Sequence, residues 1–203
     1  MLEEEYDKPR RLPRHLRKKP AAEQPFSYEI RDATLDDIPH VREIYNYYVT
    51  NSVVTFDEKK WTLRQWREKF DHLAKIGMPF YVATSPSGDV LGYALVQPMS
   101  GKSGYRYTAE NSIYLGPGAA GKGLGRALLE HLIVGCEQAG IREMIAIISD
   151  KGAEASVALH EKLGFVEVGR MGRVGFKFGR WLGTISMQKH LKPVKKKRKF
   201  FGL

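Results

Sequence analysis

The amino-acid sequence predicts an α+β domain built around one mixed β-sheet. Three observations lead there. Two helical stretches with apolar stripes come early, a run of strand-like segments follows, and a glycine-opened helix then leads into strand, helix and two last strands. Residues 28–33 read as the first strand. Thr34 supplies a capping hydroxyl with Asp37 three residues on, so a helix opens there and runs to about Tyr48, with Ile38, Val41, Ile44 and Tyr45 on its apolar stripe. A second helix is predicted over 63–75, where Leu63, Trp66, Phe70 and Leu73 share one side. Strands are predicted over 79–84, 90–97 and 108–115, the first two joined by the turn residues Ser85, Pro86, Ser87, Gly88 and Asp89. A helix over 124–138 closes at Gly140, a strand over 142–148 follows, a short helix over 154–163 stops at Gly164, and strands lie near 165–172 and 180–188.

The 203 residues are 42% hydrophobic and include 9 Phe, 10 Tyr and 3 Trp, enough for one compact core. The net charge of +10 invites a polyanion partner, but the excess sits at the ends. Residues 1–27 carry seven Lys/Arg and five acids, residues 189–203 carry seven and none, and residues 28–188 are nearly neutral, with 19 bases and 18 acids. Four prolines among the charges of 1–27 predict a flexible arm. Residues 28–191 are then the folded domain, and 192–203 a basic tail that stays solvated or makes a weak polyanion contact. Cys136 is the only cysteine, which excludes an intramolecular disulfide and a cysteine-rich zinc site and suits a reducing, cytoplasmic setting. The histidines show no ligand spacing, so no metal is expected. No stretch approaches the roughly 18 apolar residues of a membrane helix, and no membrane insertion is expected.

The run from Gly116 to Gly125 matches three textual patterns, which physics separates. Gly116, Gly118 and Gly121 spell a dinucleotide fingerprint, but several strands precede it without intervening helices, unlike the first turn of a doubly wound fold. Gly116 to Lys122 spells a phosphate loop, but Gly123 follows the lysine where a magnesium-binding hydroxyl is required. The third reading takes Gly121, Lys122, Gly123, Leu124, Gly125 and Arg126 as a tight turn at a helix N-terminus. Its outward N–H groups and the helix dipole would bind a pyrophosphate without metal, and Lys122 and Arg126 would add charge at the rim.

The surrounding blocks favour the third reading. Tyr105 to Leu115, the glycine turn, Ala155 to Phe165 and Gly175 to Trp181 resemble, in order and spacing, the phosphinothricin N-acetyltransferase family of the GNAT superfamily, as do Ile44-Tyr45-Asn46 and Val54-Thr55-Phe56. The resemblance covers about 28–191. It implies a GNAT-like mixed sheet flanked by helices on both faces, acetyl-CoA as acetyl donor, a small-molecule amine as acceptor, and a homodimer. The acceptor it implies is a small amino acid or analogue of phosphinothricin, methionine sulfone or methionine sulfoximine type. A protein or polyamine acceptor, and a non-catalytic module that binds polyanions through its tails, are the alternatives.

The resemblance also assigns roles. Ile113, Tyr114 and Leu115 would offer strand backbone to the amide-rich pantetheine arm, and Ser156 would touch the cofactor. Glu110 is implied as the general base that removes a proton from the amine. His160, one helical turn after Ser156, would face the thioester and protonate the leaving thiolate or relay a proton. Arg106 and Lys177 are candidate partners for the acceptor's anionic groups, with Phe56 and Tyr107 as walls. Ala120 and Ala153 depart from the family pattern by removing side-chain contacts to the cofactor, and Gly183 stands where an acid is common.

Overall fold

A computed structural model describes residues 26–192; the arm and the basic tail lie, apart from residues 26, 27 and 192, outside the described residues. Seven strands form one sheet in the order β1-β2-β3-β4-β5-β7-β6. They are β1 (Glu29–Asp32), β2 (Phe80–Thr84), β3 (Val90–Pro98), β4 (Thr108–Leu115), β5 (Glu143–Ser149), β6 (Val166–Lys177) and β7 (Arg180–His190). Only β4 and β5 run parallel; the other neighbours are antiparallel. Among the described residues the four α-helices are α1 (Ile38–Asn51), α2 (Leu63–Lys75), α3 (Leu124–Ala139) and α4 (Glu154–Lys162).

Alternation along β3 divides the core in two. Tyr93 and Leu95 point to the face covered by α1 and α2, where they meet Ile38, Val41, Trp66 and Leu73. Ala94 and Val96 point to the other face, against Leu124, Leu128, Leu129, Leu132 and Cys136 of α3. The expected helices on both faces are therefore present. Each of those α3 leucines is fully buried, a contribution of about 1.5–3 kcal/mol apiece before entropy is counted.

Local chemistry explains the boundaries. Thr62 accepts from the Gln65 N–H while the Gln65 side chain accepts from the Thr62 N–H, a reciprocal cap that starts α2 where the sequence places it. At α1 the chain first makes a tight turn over Leu35–Asp37, with Pro39 in the first turn of the helix proper, and the helix continues to Asn51, beyond the expected Tyr48. Asp37 accepts from Arg31 at 2.7 and 2.8 Å and from the Thr34 N–H at 2.8 Å. Burial pushes its carboxyl up, but these donors outweigh burial and hold it below the usual carboxylate range.

β6 runs to Lys177 instead of ending near Gly172. The strand continues past its expected end through a bulge between Met171 and Gly175, and the hairpin turn is at Phe178-Gly179, both at positive φ. Gly183 also has a packing reason: a Cβ there would lie 2.5 Å from the Met171 carbonyl and 2.6 Å from Asp150 Oδ2, and its N–H donates to Asp150 Oδ1 at 2.8 Å.

Candidate active site

The parallel ladder between β4 and β5 lasts only from Thr108–Glu143 to Glu110–Ile145, although both strands continue. Beyond Glu110 they part, and among the described residues the second edge of β4 from Asn111 to Leu115 has no strand partner. Alternate backbone N–H and C=O groups along that edge, those of Asn111, Ile113 and Leu115, face the gap, whereas the Tyr114 backbone, also expected to meet the pantetheine arm, is turned toward Tyr93 of β3. One of the carbonyls, that of Leu115, is taken by the Tyr48 hydroxyl at 2.8 Å. The gap is part of a cavity of about 590 Å³ lined from both faces of the sheet.

Strand alternation sorts the residues of β4 between those faces. Glu110 and Tyr114 look toward α1 and α2, whereas Asn111, Ile113 and Leu115 look toward α3 and α4. Glu110 and His160 thus approach one cavity from opposite sides of the sheet.

Around Glu110 the wall is aromatic. Tyr114 stacks on Tyr93 with centroids 5.5 Å apart and meets the edge of Tyr45; Trp66 packs against Tyr45, Trp61 and Tyr93. Polar groups are few and tied together. Asp57 Oδ2 accepts from the Tyr45 hydroxyl and from Trp61 Nε1, both at 2.6 Å. Lys69 donates to Gln97 Oε1 at 2.9 Å, and Gln97 is the direct cross-strand partner of Glu110. Burial pushes the Glu110 carboxyl above its ordinary range, and the Gln97 amide and Lys69 charge only partly offset this. Burial likewise lowers the Lys69 ammonium, opposed by Glu110 and Asp57.

On the other side His160 is 3% exposed and held at both ring nitrogens. The Ser156 carbonyl, 2.8 Å from Nδ1, can only accept, so Nδ1 carries the proton. Nε2 then accepts from Asn111 Nδ2 at 2.9 Å. This bond turns Asn111 Oδ1 away, buried and without a partner among the described residues. Burial pushes the imidazole down, against the pull of the Ser156 carbonyl, so the ring is neutral and its free lone pair is used. A neutral ring held this way has no proton at Nε2 to give a thiolate, and it fixes the Asn111 amide instead.

Stability should follow the same titration. The folded-state pKa of His160 is below the unfolded value, so the unfolded chain takes up its proton first and stability falls as pH drops below about 6.5. The expected result is a loss of thermal midpoint between neutral and mildly acidic pH that is smaller in His160→Gln; equal losses in both proteins would remove His160 from the account.

The glycine turn has the predicted backbone. Gly118, Gly121 and Gly123 all have φ between 76° and 82°, and Gly123 caps the start of α3. Gly125 reaches the cavity wall, Lys122 lies over the Phe26 ring at 4.6 Å, and Arg126 pairs with Glu130 on the surface at 2.8 Å. Ala120 is exposed in this turn, and Ala153 is buried at the start of α4 without a side-chain cap.

Three expected acceptor-binding residues lie elsewhere. Arg106 and Tyr107 are at the surface, where the Tyr107 ring is flanked by the Arg106 and Arg142 guanidiniums at 4.7 and 4.9 Å. The tight turn at Ser103–Tyr105 carries both away from the cavity. Lys177 is 1% exposed and donates to the Thr55 carbonyl at 2.8 Å, so its charge braces the 52–57 loop from behind. Phe56 does line the cavity, with its ring lodged where a Cβ at Gly175 would be. The β6–β7 hairpin that carries the Gly175–Trp181 motif is therefore a clamp on this loop. Asp57, Lys69, Gln97 and Asn111 are among the polar cavity residues that sequence reasoning did not assign a role. An amphipathic helix with a lysine beside its apolar stripe was the one signal available for Lys69.

The residues present fit a CoA thioester. The unpaired edge of β4 suits an arm rich in amides, and the α3 turn suits a pyrophosphate. Of five buried side-chain polar atoms without partners among the described residues, four belong to cavity-lining residues: Trp66, Tyr93, Asn111 and Thr184.

The acetyltransferase (GNAT) family model matches residues 41–165. A phosphinothricin N-acetyltransferase of Alcaligenes faecalis is 40% identical over 156 residues, covering 77% of this chain and 79% of its own. An L-methionine sulfoximine/L-methionine sulfone acetyltransferase of Pseudomonas aeruginosa is 40% identical over 170 residues, covering 84% and 98%. Among solved structures, a phosphinothricin acetyltransferase from Sinorhizobium meliloti in complex with acetyl-CoA aligns with a TM-score of 0.77 at 41% identity, covering 81% of this chain and 88% of that one. A cavity that opens where β4 leaves β5, a glycine turn at the head of α3 and these matches agree: the chain belongs to the GNAT acetyltransferase family.

Proposed function

We propose that the protein transfers the acetyl group of acetyl-CoA to the amino group of a small amino acid or analogue, of phosphinothricin, methionine sulfone or methionine sulfoximine type. The observation that carries this is the meeting of the Glu110 carboxylate and the unpaired edge of β4 in one cavity that crosses the sheet. The names of the relatives support the acceptor class.

The bound thioester supplies an acyl carbon whose bond to sulfur breaks as the bond to nitrogen forms, and the thiolate leaves as the CoA thiol with the proton that the acylated nitrogen gives up. Backbone groups of Asn111, Ile113 and Leu115 would hold the pantetheine arm and direct the carbonyl toward a backbone N–H, while the turn N–H groups from Gly121 to Gly125 and the Lys122 and Arg126 side chains hold the pyrophosphate. Glu110 takes a proton from the amine, directly or through one water, on the α1–α2 side. Its raised pKa brings it closer to the amine's and makes it a better base than an exposed glutamate. His160 acts as a positioning residue through Asn111. Cys136 takes no part: burial pushes its thiol up to about 12.

The test is thiol release from acetyl-CoA with methionine sulfone, methionine sulfoximine, phosphinothricin, common amino acids and polyamines. Turnover with an amino acid of this type supports the reading, and its absence with acetyl-CoA still bound rejects the acceptor class. Protonated Glu110 cannot accept the amine's proton, so kcat is expected to fall as pH drops through the raised Glu110 pKa, at a pH above the ordinary glutamate range. A pH-independent kcat down to that range would remove Glu110 as the base.

The reading includes a cytoplasmic homodimer. β6 is a 12-residue edge strand with almost every side chain exposed, and Val166, Val168, Val174 and Phe176 are 50–67% exposed along it. Such an edge invites pairing, and an antiparallel edge is self-complementary about a two-fold axis. Light scattering is expected to give twice the 23.1 kDa chain mass, and Val168→Lys to reduce it; a monomer at micromolar concentration would reject the pairing. Among the described residues no helix is long and apolar enough to cross a membrane.

A further inference from the structure

We infer that Lys69 is the residue that recognises the carboxylate of the acceptor and so selects amino acids over simple amines. The inference rests on the acceptor class proposed above and names the group within the cavity that reads it. Among the described residues lining the cavity, Lys69 carries the only fixed positive charge, alongside the two acids Asp57 and Glu110. Arg106 and Lys177, the cations the sequence suggested for this task, are outside the cavity lining.

The side chain is held for such a role. Its ammonium stands over the Trp61 and Trp66 rings, 5.4 and 5.5 Å from their centroids, so its stem is packed and its head is fixed. One of its three N–H donors goes to Gln97 Oε1 at 2.9 Å, and among the described residues it makes no other hydrogen bond. Two donors are therefore left for an anion in the cavity.

Spacing supports the same conclusion. From the ammonium the path to the base is one hydrogen bond to the Gln97 amide and one cross-strand step to Glu110. An α-amino acid presents a carboxylate and an amine on one carbon, with a hydrogen bond to be made at each end. It can lie beside Gln97 with its carboxylate at Lys69 and its nitrogen at Glu110. A protein acceptor's internal lysine or a polyamine has no carboxylate at that distance and would leave the remaining Lys69 donors without an anion to bind.

The experiment compares wild type, Lys69→Met and Lys69→Arg on methionine sulfone and on the decarboxylated amine of methionine sulfone, with acetyl-CoA affinity measured for each protein to show that the site is folded. Lys69→Met is expected to lose at least about tenfold in kcat/KM with methionine sulfone, mainly through KM, and less than about threefold with the decarboxylated amine, because the lost hydrogen bond is to a charged group. Lys69→Arg should recover part of the loss. An equal loss on both acceptors would show that Lys69 acts on Glu110 and not on the carboxylate, and would overturn the inference. If wild type turns over no amino acid, the proposed function fails separately, and binding of the deaminated acid of methionine sulfone to the CoA-loaded protein decides about Lys69. Binding at least about tenfold weaker in Lys69→Met upholds the assignment; equal binding, or none to wild type, overturns it.

Discussion

Glu110→Gln is expected to lower kcat for the acceptor amine by about 10²- to 10⁴-fold while leaving acetyl-CoA affinity within about twofold. The amide keeps the shape of the carboxylate and can still face Gln97, so packing on the α1–α2 side is preserved. What is lost is the ability to accept a proton. Burial also makes this substitution unlike one at the surface: it removes a charge whose desolvation raised its pKa, so the variant should be no less stable than wild type. A fall in kcat of less than about tenfold, with the acid limb of the pH profile unchanged, would move the base to another group, Asp57 being the other carboxylate in the cavity.

The second large effect is on stability. Trp66→Ala is expected to cost about 3–5 kcal/mol, read as a lower urea midpoint at unchanged slope, against a total of roughly 5–15 kcal/mol for a domain. Trp66 is 2% exposed, and its ring meets Tyr45, Trp61 and Tyr93 at centroid distances of 5.4–5.7 Å. The same ring supports the Lys69 stem, so removing it opens a void between α2 and β3 and frees the cation. The acceptor KM should rise together with the loss of stability. A cost below about 1 kcal/mol would mean that the neighbouring rings close over the gap, which close-packed aromatic interiors seldom allow.

Local rules carried much of the architecture. The apolar period and the reciprocal Thr62–Gln65 cap define α2 from its own residues, and the glycines that frame α3 need positive φ wherever the helix ends up. Glu110 could be singled out from the sequence because the family resemblance covers the short stretch of β4 around it, and the structure puts it in the cavity lining. The hairpin of β6 and β7 was legible in type but not in extent. A bulge at Met171–Gly175 and a turn at Phe178-Gly179 both contain glycine and both have a non-glycine residue at positive φ, and only pairing with β7 tells them apart.

The acceptor end of the cavity was not legible for a different reason. Lys69, Gln97 and Asp57 come from α2, β3 and the loop after α1, and each by itself looks like a solvated polar residue. Lys177 is the reverse case, a strand lysine that looks exposed and is sealed in against the Thr55 carbonyl. His160 shows the limit for chemistry: its position one turn after Ser156 follows from helical spacing, but its tautomer depends on Asn111, 49 residues earlier. By itself the sequence determined most of the elements and the glycine turn, because periodicity, caps and positive φ act over a few residues; the helix layers on both faces and the candidate base were implied by the family resemblance. Only the tertiary structure decided which charges face the cavity and which proton His160 carries, because burial and cross-strand partners set those and neither is a property of a segment alone.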